Sequence, residues 1–293
     1  LDIGYRVAHL VDDGERVGVG RRLDAHEHRL QPVEGRAGVV VLGAEIDGGR
    51  EVLSAPLVVL AAGAVQTAVL LLRSGLANAS DQVGRNFMNH NTSAVLALHP
   101  FRRNPSVYQK TLMINDFYLT GGAGDTPLGN VQLLGKITGP ILAAKSALPR
   151  GLAGLIARRS IDLLAMSEDL PDPDSRIRLQ GGQIVMDWRQ KNWEAHLALV
   201  AKLKHLLRRA GYPIVLTKPF DSRTPSHQCG TARMGTDPAT SVVDRFCRSH
   251  DHPNLFITDA SVLPTSAAVN PALTVAALAL RTAAHLQDTA FAG

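Results

Sequence analysis

The chain is 293 residues long, 45% hydrophobic, 19% charged and only 4% aromatic, with a formal charge of +5. A chain of this length can bury roughly 75% of the surface that its unfolded form would expose, so one or two globular domains are expected, and no run approaches the 18 or more apolar residues of a membrane span. The positive charge is scattered: Arg21-Arg22, Arg102-Arg103, Arg158-Arg159 and Arg208-Arg209 stand far apart without aromatic interleaving, so the chain lacks the footprint of a nucleic-acid binder.

In chain order, the first residues carry neither an initiator Met nor a basic-then-apolar leader, which reads as a fragment or processed form whose upstream part, targeting information included, is missing. Period-two patterning over 6–11, 38–46 and 57–60, separated by Asp12-Asp13-Gly14 and Asp47-Gly48-Gly49, predicts a small antiparallel meander. Gly18-Val19-Gly20 resembles the start of a dinucleotide fingerprint, but Leu23 stands at the third glycine position and no helix follows. The strand at 57–60 runs into Ala61-Ala62-Gly63 and then an amphipathic helix over 64–73, a strand-turn-helix junction able to hold a dinucleotide. The middle of the chain is mixed. A helix-prone apolar stretch covers 141–164, a turn sits at Pro171-Asp172-Pro173-Asp174, a strand covers 183–188, and a helix covers 193–210, closed by Gly211. A buried strand at 254–258 and a long apolar helix from 271 to 287 follow. The fold class predicted is α/β (α+β), in three stretches: 1–93, 94–220 and 221–293.

Chemistry concentrates near the C-terminus. His227-Gln228-Cys229-Gly230-Thr231-Ala232-Arg233-Met234-Gly235 offers an imidazole in a glycine-bounded turn, and Asn270-Pro271-Ala272-Leu273-Thr274 offers a neutral amide at a helix start, with Asn270 as N-cap and Pro271 as first residue. One group can take a proton while the other orients an oxygen, a pairing that suits oxidation of an alcohol. A base with an ordinary histidine pKa would titrate near 6.5. Asp259, at the end of the 254–258 strand, lies where ligands meet an α/β sheet and can accept from ribose or ribityl hydroxyls, or is an ordinary turn Asp. A Cys229 nucleophile with His227 as its base, and hence a hydrolase, is the competing reading. His250-Asp251-His252 lacks a third and fourth ligand, so no metal site is expected. Cys229 and Cys247 form no disulfide framework, which favours a reducing, cytoplasmic location. Trp188 and Trp193 could stack on a sugar or belong to the core.

Four segments resemble the glucose-methanol-choline oxidoreductases, and among them the bacterial sugar and polyol dehydrogenases and pyranose oxidases. They are Leu60-Ala61-Ala62-Gly63-Ala64-Val65-Gln66-Thr67 through Arg73-Ser74-Gly75-Leu76; Val83-Gly84-Arg85-Asn86 through His90; Ser167-Glu168-Asp169-Leu170-Pro171; and the His227 to Thr274 region. Ala68 replaces the family's usual Pro and Ala77 its usual Gly. The resemblance implies an FAD-dependent oxidation of a CH–OH group of a sugar, polyol or other alcohol. His227 would be the general base and Asn270 its partner, with Ala62, Gly63, Asp259, Ala260, Asn270 and Thr274 around the flavin. It divides the chain into a partial FAD-binding domain (1–93), a substrate-binding domain (94–220) and a return to the FAD-binding domain (221–293). The family's N-terminal Rossmann unit is not found in these residues, so the chain alone is expected to bind FAD poorly, and an inactive remnant or interaction module is the alternative. The acceptor could be oxygen, a quinone or a cytochrome. His90 reads as structural.

Overall fold

The computed structural model describes residues 29–33, 36–46, 49–53, 55–107, 110–222, 224 and 226–290; the strand expected over 6–11 and the Gly18-Val19-Gly20 run lie outside them. Strands β1 (Arg29–Val33), β2 (Arg36–Ile46) and β3 (Gly49–Leu53) form an antiparallel sheet in that order. Strand β4 (Val58–Leu60) does not join this meander, contrary to the reading from sequence. It pairs in parallel with the far strand Leu255–Ile257, Leu60 opposite Ile257. The reason is burial: Val58, Leu60, Leu255 and Ile257 are all fully enclosed, and continuous apolar runs covered on both faces suit parallel pairing. Helix α1 (Ala64–Ser74) follows directly and buries Ala68, Val69 and Leu71 in the same core, with Val83, Phe87 and Ile177.

The next body is a five-stranded antiparallel sheet. Its members are β5 (Asn91–Leu98), β6 (Met113–Ile114), β7 (Asn130–Leu133), then, after helices α2 (Gly139–Ala144) and α3 (Arg150–Ala157), β8 (Ser160–Ser167). A hairpin of β9 (Arg176–Gln180) and β10 (Gln183–Asp187) and helix α4 (Trp193–Arg209) precede the fifth strand, β11 (Ile214–Pro219). The order across the sheet is β11-β5-β8-β7-β6. The sequence reading of 141–164 as one helix-prone stretch is corrected here, because the chain breaks into α2 and α3 and then enters β8. As the middle strand, β8 bonds to β5 on one side and β7 on the other and is buried on both faces. Its apolar run is therefore continuous, a pattern that periodicity cannot tell from a buried helix.

Alternation gives the two sheet faces different work. Val95, Ala97, Val131, Leu133, Leu163 and Ala165 pack on Leu199, Leu203 and Leu207 of α4. That face is closed. Thr92, Ala94, Leu96, Gln132, Leu164 and Met166 share the opposite face by register, and Gln132 there meets residues from the end of the chain. The last elements are β12 (Leu255–Ile257), already met as the partner of β4, and helix α5 (Ala272–Ala290). No helix among the described residues is long and apolar enough to cross a membrane.

Candidate active site

The His227 segment is held by backbone pairing on both sides. Met88 and Cys229 exchange amide-to-carbonyl bonds at 3.0 Å in each direction, and the His90 amide donates to the Ser226 carbonyl, which sets His90 opposite His227. On the other side the amides of Gly230, Ala232 and Met234 donate to the carbonyls of Ala260, Ser261 and Val262. Close approach is the reason for glycine at 230: its φ is +90°, and a Cβ there would stand 2.4 Å from the Asn86 carbonyl oxygen. Thr231, fully buried, donates its hydroxyl to the Ala64 carbonyl and so fastens the segment to the first turn of α1. His227 itself has φ +61°, a left-handed conformation uncommon outside glycine.

The rings and amides then connect in a line. His90 Nε2 lies 2.7 Å from the Ser266 carbonyl oxygen, and His90 Nδ1 lies 2.8 Å from His227 Nδ1. The two rings meet edge to face, with centroids 4.9 Å apart. The Ser226 hydroxyl is 3.2 Å from His227 Nδ1. On the far side of the ring, His227 Nε2 lies 3.1 Å from the amide nitrogen of Asn270. Gln132 Nε2 donates to Asn270 Oδ1 at 2.9 Å, and this bond turns the amide nitrogen of Asn270 toward the imidazole. An amide nitrogen only donates, so His227 Nε2 is the acceptor there. Burial, reinforced by the neighbouring His90 and Lys110, pulls the His227 pKa down to about 4. The imidazole is therefore neutral throughout the neutral pH range. The expectation of titration near 6.5 is corrected by this burial.

Asn270 is exposed and does not cap α5. The first helical bond runs from the Val275 amide to the Pro271 carbonyl, and α5 begins at Ala272, so Pro271 holds the cap position and the Asn270 side chain is free for His227 and Gln132. Asp169 is a residue to which the sequence reading gave no role. Its carboxylate accepts from the Asn89 amide (3.1 Å), Trp188 Nε1 (2.8 Å) and the Lys191 amide (2.9 Å), while its own backbone exchanges two bonds with the Ser266 hydroxyl. It thereby ties the chain beside His90 to the chain whose carbonyl His90 touches. Its burial pushes the carboxyl pKa upward, opposed by those donors.

Trp188 and Trp193 are both half-buried: the indole N–H of Trp188 donates to Asp169, and Trp193 stacks on His196. Cys229 is 1% exposed, beside Met88 and Leu263, and burial with Asp169 and Glu168 nearby pushes its thiol up to about 12. A thiol of that kind is not a nucleophile at neutral pH. The Cys229 hydrolase reading fails on this environment. His250 bonds to the Ser241 hydroxyl and the Gly235 carbonyl, and no group of three or more His, Cys, Asp or Glu among the described residues could hold a metal.

The remaining sequence-chosen residues gather at the ends of the parallel pair β4 and β12. The carboxylate of Asp259 accepts from the Gly63 amide (2.9 Å), the Thr67 hydroxyl (2.6 Å) and the Ser261 amide (2.8 Å). Gly63 has φ +83°, and a Cβ there would meet nothing within 4 Å. The first turn of α1 has no side-chain cap, so its free amides adjoin open space beside Ala62 and Gly63. Ala260 packs against the same cluster as Val275 of α5, which brings the first turn of α5, where Thr274 stands exposed, to this end of the fold.

Two family models, both described as GMC oxidoreductase, match this chain, one over residues 7–92 and the other over residues 171–279. The chain is 30% identical to the fructose dehydrogenase large subunit of Gluconobacter japonicus over 77% of its own length and 46% of the relative's. It is 30% identical to the paromamine 6'-oxidase of Streptomyces fradiae over 77% and 44% respectively, and 27% identical to the 2-methyl-1,2-propanediol dehydrogenase of Mycolicibacterium austroafricanum over 90% and 54%. It spans about half the length of these curated relatives. Among solved structures, pyridoxine 4-oxidase from Mesorbium loti superposes with a TM-score of 0.61 at 22% identity, over 89% of this chain and 56% of that one, and shows the same fold.

Proposed function

The chain belongs to the GMC oxidoreductase family, and from that premise we propose that it forms the catalytic part of an FAD-dependent oxidoreductase that converts a CH–OH group of a sugar, polyol or other small alcohol to a carbonyl. The observation that carries this reading is the pair His227 Nε2 and Asn270 Nδ2, 3.1 Å apart, with the imidazole neutral and its lone pair facing the amide. A substrate hydroxyl can replace that hydrogen bond, donating to Nε2 and accepting from the Asn270 amide. His227 then takes the hydroxyl proton as the carbinol C–H bond breaks, and Asn270 holds the oxygen through its change from hydroxyl to carbonyl.

The residues present fit a flavin. Ala62, Gly63, Ala260 and Thr274 offer small side chains, Asp259 offers a carboxylate, and the uncapped first turn of α1 offers amide donors beside open space. Helix starts of that kind favour anionic or electron-rich groups. When bound, FAD supplies the acceptor for the hydride that leaves the carbinol carbon. We assign substrate selection to the 94–220 stretch. In support, a cavity of about 610 Å³ opens beside the sheet, lined by Ala94 and Leu96 from the face that also presents Gln132, with Leu216, Ile141, Leu142 and Thr224 around it.

Anaerobic mixing of flavin-loaded protein with a panel of sugars and polyols tests the proposal. Bleaching of the flavin band with at least one alcohol is the expected result. Absence of bleaching with every alcohol in flavin-loaded protein overturns the alcohol-oxidation reading, and flavin bleaching at the wild-type rate by His227→Ala overturns the base assignment.

A further inference from the structure

We propose that His90 is a positioning residue that sets the tautomer of His227, holding the single imidazole proton of His227 on Nδ1 and leaving Nε2 bare. This rests on the reading of His227 as the base, and it replaces the reading of His90 as merely structural.

The assignment follows from counting donors and acceptors along the line of contacts, since ring protons are inferred from partners. His90 is 1% exposed, and burial favours its neutral form, so its ring carries one proton. The Ser266 carbonyl, 2.7 Å from His90 Nε2, can only accept. The proton of His90 is therefore on Nε2, and His90 Nδ1 is a lone pair. That lone pair stands 2.8 Å from His227 Nδ1, which must then be the donor. The neutral His227 ring has no second proton, so its Nε2 is bare. The other end of the line accommodates the same arrangement: Gln132 donates to Asn270 Oδ1, so that an Asn270 N–H faces His227 Nε2, and because both amides can turn over together, this end follows the tautomer that His90 sets. The Ser226 hydroxyl at 3.2 Å can accept from the same Nδ1–H and conflicts with nothing. In the opposite tautomer two lone pairs would face each other at Ser266, whose carbonyl can only accept.

The partners are themselves held. The Ser266 hydroxyl bonds to both the amide and the carbonyl of Asp169, and the Asp169 carboxylate grips the Asn89 amide next to His90. His90 is thus fixed from both sides by one residue.

The test reads proton positions directly and needs neither flavin nor turnover. In the full chain labelled with ¹⁵N-histidine, long-range proton–nitrogen spectra at neutral pH distinguish a protonated ring nitrogen from a bare one, with His90 and His227 identified among the 11 histidines by loss of their signals in His90→Asn and His227→Gln. The expected wild-type result is a proton on His227 Nδ1 and on His90 Nε2. His90→Leu, which removes the acceptor, should turn His227 into a tautomer mixture. His90→Asn, whose side-chain oxygen can stand where Nδ1 stands, should keep the proton on His227 Nδ1. In flavin-loaded protein His90→Leu should slow flavin reduction by about 10- to 100-fold, the range seen when a metal-bound imidazole loses the partner of its far nitrogen, and His90→Asn should restore most of the rate. A wild-type His227 protonated on Nε2, or an unchanged Nδ1–H in His90→Leu, overturns the proposal. The wild-type spectrum decides even if the Leu variant does not fold. Failure of the base assignment shows separately, as wild-type flavin reduction by His227→Ala, and leaves the spectral result standing.

Discussion

Acid should loosen the sheet that carries the site, and His196 should account for a measurable part of the loss. This histidine sits on the face of α4 that closes the sheet, fully buried, with its ring nitrogens 2.8 Å from the Ser93 hydroxyl and 3.1 Å from the Ser167 hydroxyl. Among the described residues no carboxylate faces it, so burial alone pulls its pKa down to about 4, against about 6.5 in an unfolded chain. The folded pKa is depressed, so between those two values the unfolded state binds more protons, and stability falls as pH drops through that window. Protonation of the unfolded form alone gives about 2 kcal/mol of lost stability at pH 5 and about 3 kcal/mol at pH 4, order-of-magnitude figures from that linkage. Urea unfolding of the full chain at pH 7.5 and pH 5 measures it, with His196→Gln as the control that cannot titrate. Other groups that titrate in this range affect both proteins alike, so the wild type should lose about 2 kcal/mol more than His196→Gln over that interval. Equal pH dependence in the two would show that water reaches the imidazole and that the packing of α4 on β5 and β8 is not as described.

In flavin-loaded protein, His227→Ala should slow flavin reduction by roughly 10² to 10⁴ while retaining the cofactor. Because burial holds the His227 pKa near about 4, the base is already deprotonated above that value. The rising limb of the wild-type pH profile should fall near there, and the Ala variant should lose it; a limb centred near about 6.5, the ordinary histidine value, would mean that the imidazole is hydrated. Asn270→Ala should slow the reaction less than His227→Ala. Since Pro271 and not Asn270 occupies the cap of α5, its unfolding free energy should change by no more than about 0.5 kcal/mol, as for an ordinary surface position, whereas a lost N-cap typically costs about 1 kcal/mol. Iodoacetamide should leave Cys229 unmodified in the native protein and label it after unfolding in urea, as peptide mass spectrometry will show, because its thiol is buried and pushed up to about 12.

The sequence shows His227 and Asn270 as a candidate pair because each sits in a local signature, a glycine-bounded turn and a helix start. What binds them together has no local signature. His90 reaches His227 across 137 positions and Gln132 reaches Asn270 across 138, so neither partnership can be read from spacing. Gln132 did leave a trace: it is a polar residue within a short strand whose four positions are all buried, and a buried amide needs a partner. Asp169 lay within a segment singled out by resemblance, but its work is done on the backbone of Asn89 and Lys191 and on the Trp188 indole, which only the folded chain assembles. The strands show the same division. Residues 38–46 and 183–188 announced themselves through alternation or bounding turns, whereas β8, buried on both faces, looked like part of a helix. The expected cap at Asn270 failed for a related reason: Asn and Pro at a helix start satisfy local preference, and a long-range hydrogen bond from Gln132 overrides it.

Under the proposed reading, burial sets His227 a problem that the line of partners answers. A low pKa keeps the imidazole ready to accept a proton, but it also makes the ring a weaker base, since burial disfavours the charged form it must become. The compensation has to grow as the proton arrives. His90 meets that condition, because the Nδ1–H of an imidazolium donates a charge-assisted hydrogen bond to the His90 lone pair, shorter and about twice as strong as the neutral one. His90 in turn draws more strongly on the Ser266 carbonyl through its own Nε2–H, so positive charge developing on His227 is shared along the line toward Ser266. Asn270 behaves in the opposite sense. With the substrate oxygen in place the Asn270 N–H donates to it and not to Nε2, so protonation of Nε2 costs Asn270 no bond, and the amide stays held from behind by Gln132. Through the step Nδ1 therefore stays a donor to His90, and Nε2 alone changes from acceptor to donor.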